Sequence, residues 1–329
     1  RDANAENVDV MSQWLAMGKS QSMAEFIEAH KKYNAMPWVN TISTSAEGRA
    51  VYLDNTNVGA LSGEAISAWR DRIEASSQLK NLYLTEGIVI LDGSTNRDEW
   101  INHPETPIPG TTLFEQRPLI ESEFYVFNAN DSYWLSDPKK PTTGYSPLYG
   151  ATETPRSVRT RMNIHLLEGL DGFNFSGKDG LFSVSEIQAA LMDNSGLTAH
   201  LLKDELVERC KQSPIVYISD ISVELLPACT ILSEWDNRYN ADSRGAVLFR
   251  EWLTRYSYWS TIHTGELFSA NFDKENPITT PSGLAENQRT LTALAEAVTL
   301  LVDNGIPLDI PLGELQKAHR AGKSFPVHG

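Results

Sequence analysis

What this chain can fold into is constrained first by a change of character near residue 155. Before that point, short segments rich in β-forming residues are separated by turn clusters. After it, apolar residues recur at three- and four-residue spacing in one segment after another. The pattern predicts an α+β chain whose β-rich first half is followed by a mainly helical second half. With 329 residues there is material for two domains or one large one, and either buries a substantial core.

The first clear element opens at Ser22, where Ser-Met-Ala-Glu to Glu25 reads as a capping box. Met23, Phe26, Ile27, His30 and Tyr33 then share one helical face, and Asn34 and Pro37 end it. Residues 38–42 and 49–53 flank a Glu47-Gly48 turn and read as a β-hairpin. From about 54 to 120 the breakers Pro104, Pro107, Pro109, Gly110 and Pro118 predict irregular structure, and residues 123–127 read as a short buried strand. Helices are expected near 156–168, 184–193, 197–211, 221–233, 246–258 and 285–303. No repeat of 20 to 50 residues is visible, which excludes a solenoid.

Several function classes drop out early. A net charge of -15 without a basic patch disfavours nucleic acid as a partner. No apolar stretch approaches the roughly 20 residues needed to span a bilayer. The amino terminus lacks the succession of a signal peptide, so an export signal would lie elsewhere. The sequence carries no G-x-S-x-G, P-loop, G-x-G-x-x-G or H-E-x-x-H string, and its seven histidines show no metal-ligand spacing.

Residues 171–186 look at first like a calcium loop, with Glu186 as the bidentate ligand. Counting back puts Phe175 and Gly177 in the first and third ligand positions, where oxygen donors are required. Ser183 to Glu186 is better read as a capping box. No cofactor or metal is expected, with a structural calcium left open.

Two other segments stay ambiguous on their residues alone. Trp38, Val39 and Asn40 suit an ordinary strand. Asn128-Ala-Asn130-Asp-Ser132 is either a turn or a place where an Asn amide is fixed as an oxyanion donor.

A resemblance separates these readings. Pro-Trp-Val-Asn-Thr at 37–41, Asp-Gly-Ser at 92–94, Asn-Ala-Asn-Asp-Ser-Tyr-Trp at 128–134, Arg-Ser-Val-Arg-Thr-Arg at 156–161, Ala-Cys-x-x-Leu-x-x-Trp-Asp at 228–236 and Ser-Arg-Gly-Ala-x-Leu-Phe-Arg-Glu-Trp at 243–252 occur in that order. Together they resemble the penicillin acylase family of N-terminal nucleophile hydrolases, in its acyl-homoserine lactone acylase and aculeacin acylase branch. The resemblance implies a portion of an αββα fold. Residues 1–155 would be part of the catalytic core, carrying acyl-pocket and oxyanion elements, and residues 156–329 a mainly helical part of the β-chain. It implies an amide hydrolase made as a self-cleaving precursor, whose new amino-terminal Ser is the nucleophile and supplies its own α-amine as base.

Residue by residue, Asn130 matches the family's oxyanion Asn. Arg159, or Arg156 in the alternative register, matches the Arg that orients the site. Trp38, Val39 and Asn40 match the wall of the acyl pocket. The nucleophile is expected outside this chain, which starts with Arg1 and reads as an internal β-chain portion, inactive alone. The Gly93-Ser94 step is a surface turn rather than a cleavage site, because the family's nucleophile precedes the Pro-Trp-Val-Asn segment.

The expected partners are the remaining α-chain and β-chain segments of the same precursor and an acyl amide substrate, in the periplasm or outside the cell. Export would let Cys210 and Cys229 bridge, provided the link between their helices folds back. The competing class is a non-enzymatic secreted helical binding module. The acylase reading expects apolar β surface around 38–53 and 123–127 to lie open without partner chains.

Overall fold

The computed structural model describes residues 2–257 and 267–329, in two compact units that meet between Thr154 and Pro155. The first unit opens with α1 (Val10–Lys19) and α2 (Met23–Tyr33), followed by β1 (Asn40–Thr44) and β2 (Ala50–Asp54). It continues through α3 (Gly63–Ala75), α4 (Ser77–Glu86) and β3 (Leu119–Ser122). At the start of α2 the Ser22 side chain accepts from the Glu25 amide, while the Glu25 carboxylate reaches the Gln21 amide instead of closing a full box. Asn34 ends the helix in the left-handed region.

The three strands form one antiparallel sheet with β2 in the middle. Tyr52 faces Ile42 on one side and Ile120 on the other, and all five residues of β2 are buried. β1 is an edge strand whose residues alternate between exposed and half-buried, so one of its faces is open. The apolar surface expected to lie open over 38–53 is therefore limited to its first part, at Trp38, Val39 and Ile42.

Three expectations for this half are corrected. It is less β-rich than its composition suggests: α3 and α4 occupy a stretch expected to be irregular, each started by a serine, Ser62 or Ser76, whose side chain accepts from the amide three residues on. The strand expected at 123–127 lies four residues earlier, because Pro118 already supplies its carbonyl to the Asp54 amide and pairing with β2 starts at Leu119. Beyond it the chain turns outward, leaving Phe124 75% exposed.

The irregular segment after α4 is pinned by one buried carboxylate. Asp98 accepts from the Asp92 amide at 2.6 Å, from Arg72 of α3 at 2.7 Å and from Arg97 at 2.9 Å. Burial alone would raise its pKa, but these donors overcome that penalty and hold it at about 2, below its ordinary 3.8.

The second unit contains α5 (Val158–Glu168), α6 (Val184–Leu191) and α7 (Leu197–Gln212), then a hairpin of β4 (Ile215–Ile218) and β5 (Ile221–Glu224). α8 (Leu226–Glu234), α9 (Ala246–Leu253), the pair β6 (Phe268–Ala270) and β7 (Ser282–Leu284), and α10 (Arg289–Asp303) follow. α11 (Leu312–Leu315) and the hairpin β8 (Lys317–Arg320) and β9 (Lys323–Pro326) complete it. Its core gathers Leu202 and Leu206 of α7, Leu232 of α8, Phe249 and Trp252 of α9, and Leu294 and Val298 of α10. An aromatic ladder from Trp235 through Phe249 and Trp252 to Tyr256 runs through it, with ring centres 5.0 to 5.6 Å apart.

The helix expected at 221–233 begins only at Leu226, with Pro227 in its first turn. The Ile, Val and Tyr residues before it pair as a hairpin around Ser219, whose φ is +54°. α9 ends at Leu253, and residue 258 of the segment expected there lies outside the described residues.

That hairpin brings the cysteines together. The Leu225 amide donates to the Pro214 carbonyl at 2.7 Å, closing the base of the detour. α8 then returns alongside α7, and Cys210 and Cys229 are bridged with their Cα atoms 5.8 Å apart.

Closing a loop of this length contributes about 3 kcal/mol, so Cys210→Ala with Cys229→Ala should lower stability to urea by about that amount. Mass spectrometry of the native, unreduced protein should find no thiol at either position. For Asp98, a depressed folded pKa means that its stabilisation is complete above the unfolded value near 3.8 and is lost as pH falls towards 2. Urea midpoints measured from pH 5 to pH 2 should therefore fall less steeply for Asp98→Asn than for the native chain, from a lower starting point.

Candidate functional site

The candidate site is built where β1 meets the loop after β3, within the first unit. Tyr52 lies in the middle of the buried strand, and its hydroxyl donates across the hairpin to the Asn40 side-chain oxygen at 3.0 Å. Asn40 in turn donates to Oδ1 of Asn128 at 3.2 Å. The same Oδ1 accepts the backbone amide of Asn130 at 2.7 Å, and Asn128 Nδ2 donates to the Asp131 carbonyl at 2.8 Å. This Asx turn holds Asn130 at φ +61°, a left-handed conformation that Asn tolerates better than most residues.

The loop is backed from below. Phe127 donates to the Ser136 carbonyl at 2.9 Å, and the Ser132 hydroxyl donates to the Ala151 carbonyl. Gly150 has a φ of +104°, and any Cβ there would stand 2.8 Å from Cβ of Ser132. Only glycine fits.

Asn130 lies at the exposed end of this chain of contacts, the tyrosine at its buried end. Burial and the nearby Asp54 carboxylate push the Tyr52 hydroxyl well above its ordinary pKa, so it remains a donor at any working pH. Trp38 and Val39 immediately precede Asn40 and are 76% and 36% exposed, which places open apolar surface next to the amides. Side-chain amides can orient a carbonyl and donate to it, while the buried phenol, whose proton goes to Asn40, can only hold them in place. They can neither attack it nor take a proton from a nucleophile.

The structure thus connects Asn40 with Asn130 through Asn128, which the sequence marked only as the first residue of a turn-like segment and gave no site role. The Asn-x-Asn spacing was its only signal, and any turn can carry that. Arg156 and Arg159 belong to the second unit. Arg156 is buried just before α5, and Arg159 is exposed in its first turn, after the Ser157 cap. Arg161, one turn on from Ser157, is fully buried and donates to the carbonyls of Ile278 at 2.7 Å and Pro281 at 2.9 Å. Burial lowers its guanidinium to about 10, which leaves it charged at neutral pH.

Glu186 closes a full capping box with Ser183 at the start of α6. Among the described residues no group of three or more His, Cys, Asp or Glu is disposed to hold a metal ion. No helix among them is long and apolar enough to cross a membrane.

An ordered amide loop beside an apolar strand end is the frame in which the comparisons with known proteins fall. Residues 2–329 match the family model of penicillin amidase, and the chain belongs to that family. Among its relatives, the acyl-homoserine lactone acylase PvdQ of Pseudomonas syringae pv. syringae (strain B728a) is 31% identical over 336 residues, an alignment that covers 100% of this chain and 40% of that protein. Aculeacin-A acylase of Actinoplanes utahensis is 30% identical over 338 residues with the same coverage. The chain spans about 40% of the length of the curated relatives it matches.

Proposed function

We propose that this chain supplies the oxyanion donor and part of the acyl pocket of an amidohydrolase that cleaves long-chain acyl amides. N-acyl-homoserine lactones are the first substrate class, with lipopeptides and β-lactams as related ones. The observation that carries the reading is the fixed Asn130 loop standing beside the exposed Trp38–Val39 surface. Membership of the penicillin amidase family and the acylase names of its relatives support it.

In this reading an amino-terminal serine, supplied from outside this chain, attacks the amide carbonyl and passes its proton to its own α-amine. An α-amine has an unperturbed pKa of about 7.7 to 8.0, close to what a base at neutral pH requires. The carbonyl oxygen becomes an oxyanion and receives a hydrogen bond from the Asn130 side chain. Collapse expels the leaving amine, which takes the proton, and water hydrolyses the acyl ester. Arg159, or Arg156, orients the site, and Trp38, Val39 and Asn40 line the pocket that recognises the acyl chain by burial.

The fold is then a portion of an αββα hydrolase, with the remaining precursor segments as partners. Apolar residues left open in each unit support this. Met11, Trp14 and Leu15 lie exposed on α1, Ile42 on β1, and Val184, Ile187 and Leu191 form an outward stripe on α6. The cystine agrees with a periplasmic or secreted location.

Release of fatty acid from N-dodecanoyl-homoserine lactone, followed by chromatography, tests the reading. The whole precursor-derived enzyme should turn over and these 329 residues alone should not. Asn130→Ala in the whole enzyme should lower kcat about 100-fold or more with KM little changed, as expected of a contact made in the transition state. Full activity of that variant would return Asn130 to the role of an ordinary turn residue. Val39→Phe should shift the preferred acyl chain to shorter lengths, since each excluded methylene forfeits about 0.8 kcal/mol of burial. An unchanged chain-length profile would remove Val39 from the pocket.

A further inference from the structure

We infer that Asn128 is a positioning residue for Asn130, held in place by Asn40 and Tyr52; the inference rests on the reading of Asn130 as oxyanion donor. Both ends of the Asn128 amide are engaged. Its oxygen takes the Asn130 amide at 2.7 Å and the Asn40 side chain at 3.2 Å, while its nitrogen reaches the Asp131 carbonyl at 2.8 Å. An isolated Asx turn needs only the first of these bonds. The other two tie the turn to β1 and to the residue after Asn130.

The Asn40 bond is the long-range one, joining residues 88 apart in sequence. Asn40 is itself oriented by Tyr52, because its oxygen accepts the phenol and its nitrogen is thereby aimed at Asn128. On the antiparallel ladder Asn40 pairs with Asp54 and Ile42 with Tyr52, so Asn40 and Tyr52 are diagonal neighbours on one face of the sheet. Tyr52 is rigid because it is fully buried at the centre of the sheet, packed with Ile120, Tyr133 and Tyr149. The network therefore ties the position of the sheet to a loop that is also held by its own turn and by the contacts of Phe127 and Ser132 beneath it. A left-handed, non-glycine backbone is strained and persists where its surroundings over-determine it.

Because a misplacement of about 1 Å can cost about 100-fold in rate, partial loosening of this loop should be felt in catalysis before it is felt in binding. The test is a double-mutant cycle in the whole precursor-derived enzyme, with N-dodecanoyl-homoserine lactone as substrate. Asn128→Ala should lower kcat about tenfold or more with KM within about twofold, and Asn128→Asp, which keeps the acceptor oxygen, should recover most of the loss. Placed on an Asn130→Ala background, Asn128→Ala should change kcat no further, because the group it positions is gone. Tyr52→Phe removes one hydroxyl while keeping the ring. It should lower kcat about three- to tenfold with native Asn130 and not at all without it, and it carries the test if Asn128→Ala fails to fold.

Equal losses in both backgrounds would make Asn128 a merely structural residue and overturn the inference. So would an undiminished kcat for Asn128→Ala, in an enzyme that Asn130→Ala cripples. If Asn130→Ala itself leaves kcat unchanged, the oxyanion reading fails first and the positioning role falls with it.

Discussion

The first unit depends on a buried cation. Arg117 is 1% exposed, and it donates to the backbone carbonyls of Thr112, Asn55 and Thr56 and to the side-chain oxygens of Asn55 and Asn57. Burial lowers its pKa, opposed by Tyr149 and the Asp54 carboxylate, yet a guanidinium starts so high that it stays charged. A charge removed from water is tolerable only if its donors are satisfied, and here the acceptors come mainly from backbone at both ends of a long excursion. The guanidinium thus fixes where the chain leaves β2 and where it returns to form β3. Pro118, next in sequence, gives its carbonyl to the Asp54 amide, and sheet pairing starts one residue later. That clamp sets the exit of β2, which ends two residues beyond Tyr52, and the point at which the chain comes back to pair with it.

How much of this could be read from the residues varies with what each element buries. The β1–β2 hairpin was legible because β-branched and aromatic residues flank a turn whose Gly48 takes a φ of +78°. α2 was legible from its cap and its apolar face. α1 escaped because its pattern is inverted: Met11, Trp14 and Leu15 point outward, and its buried residue is Gln13, whose oxygen accepts the Ala35 amide at 2.6 Å. α3 escaped because only Ala65 and Trp69 face inward, too few to show a period. The 221–233 segment was misread because a hairpin and a following helix, both apolar on one side, blur into one helical pattern. Asn130, Arg159 and the pocket residues were picked out by likeness to a family, not by spacing. Of the Tyr52–Asn40–Asn128 link the sequence carried only the Asn-x-Asn spacing at its far end, since the fold alone brings the three residues together.

The two units also differ in how they are stabilised. The second has a continuous apolar core with an aromatic ladder and a cross-link between α7 and α8. In the first, the clusters around Tyr52 and Arg117 mix phenols, amides and one cation, and such networks tolerate little substitution because each unmade bond leaves a buried polar group stranded. Apolar packing yields by degrees when a residue shrinks, whereas a polar network loses its geometry abruptly.

The Asx turn has one more effect. With its backbone N–H donated inward to Asn128 at 2.7 Å, Asn130 cannot present that amide to anything approaching from outside. Many anion-binding loops work as nests of successive main-chain donors. Here the main-chain donor of Asn130 is spent on the turn itself, so the side-chain amide is the hydrogen-bond donor that residue 130 keeps for a group outside the loop.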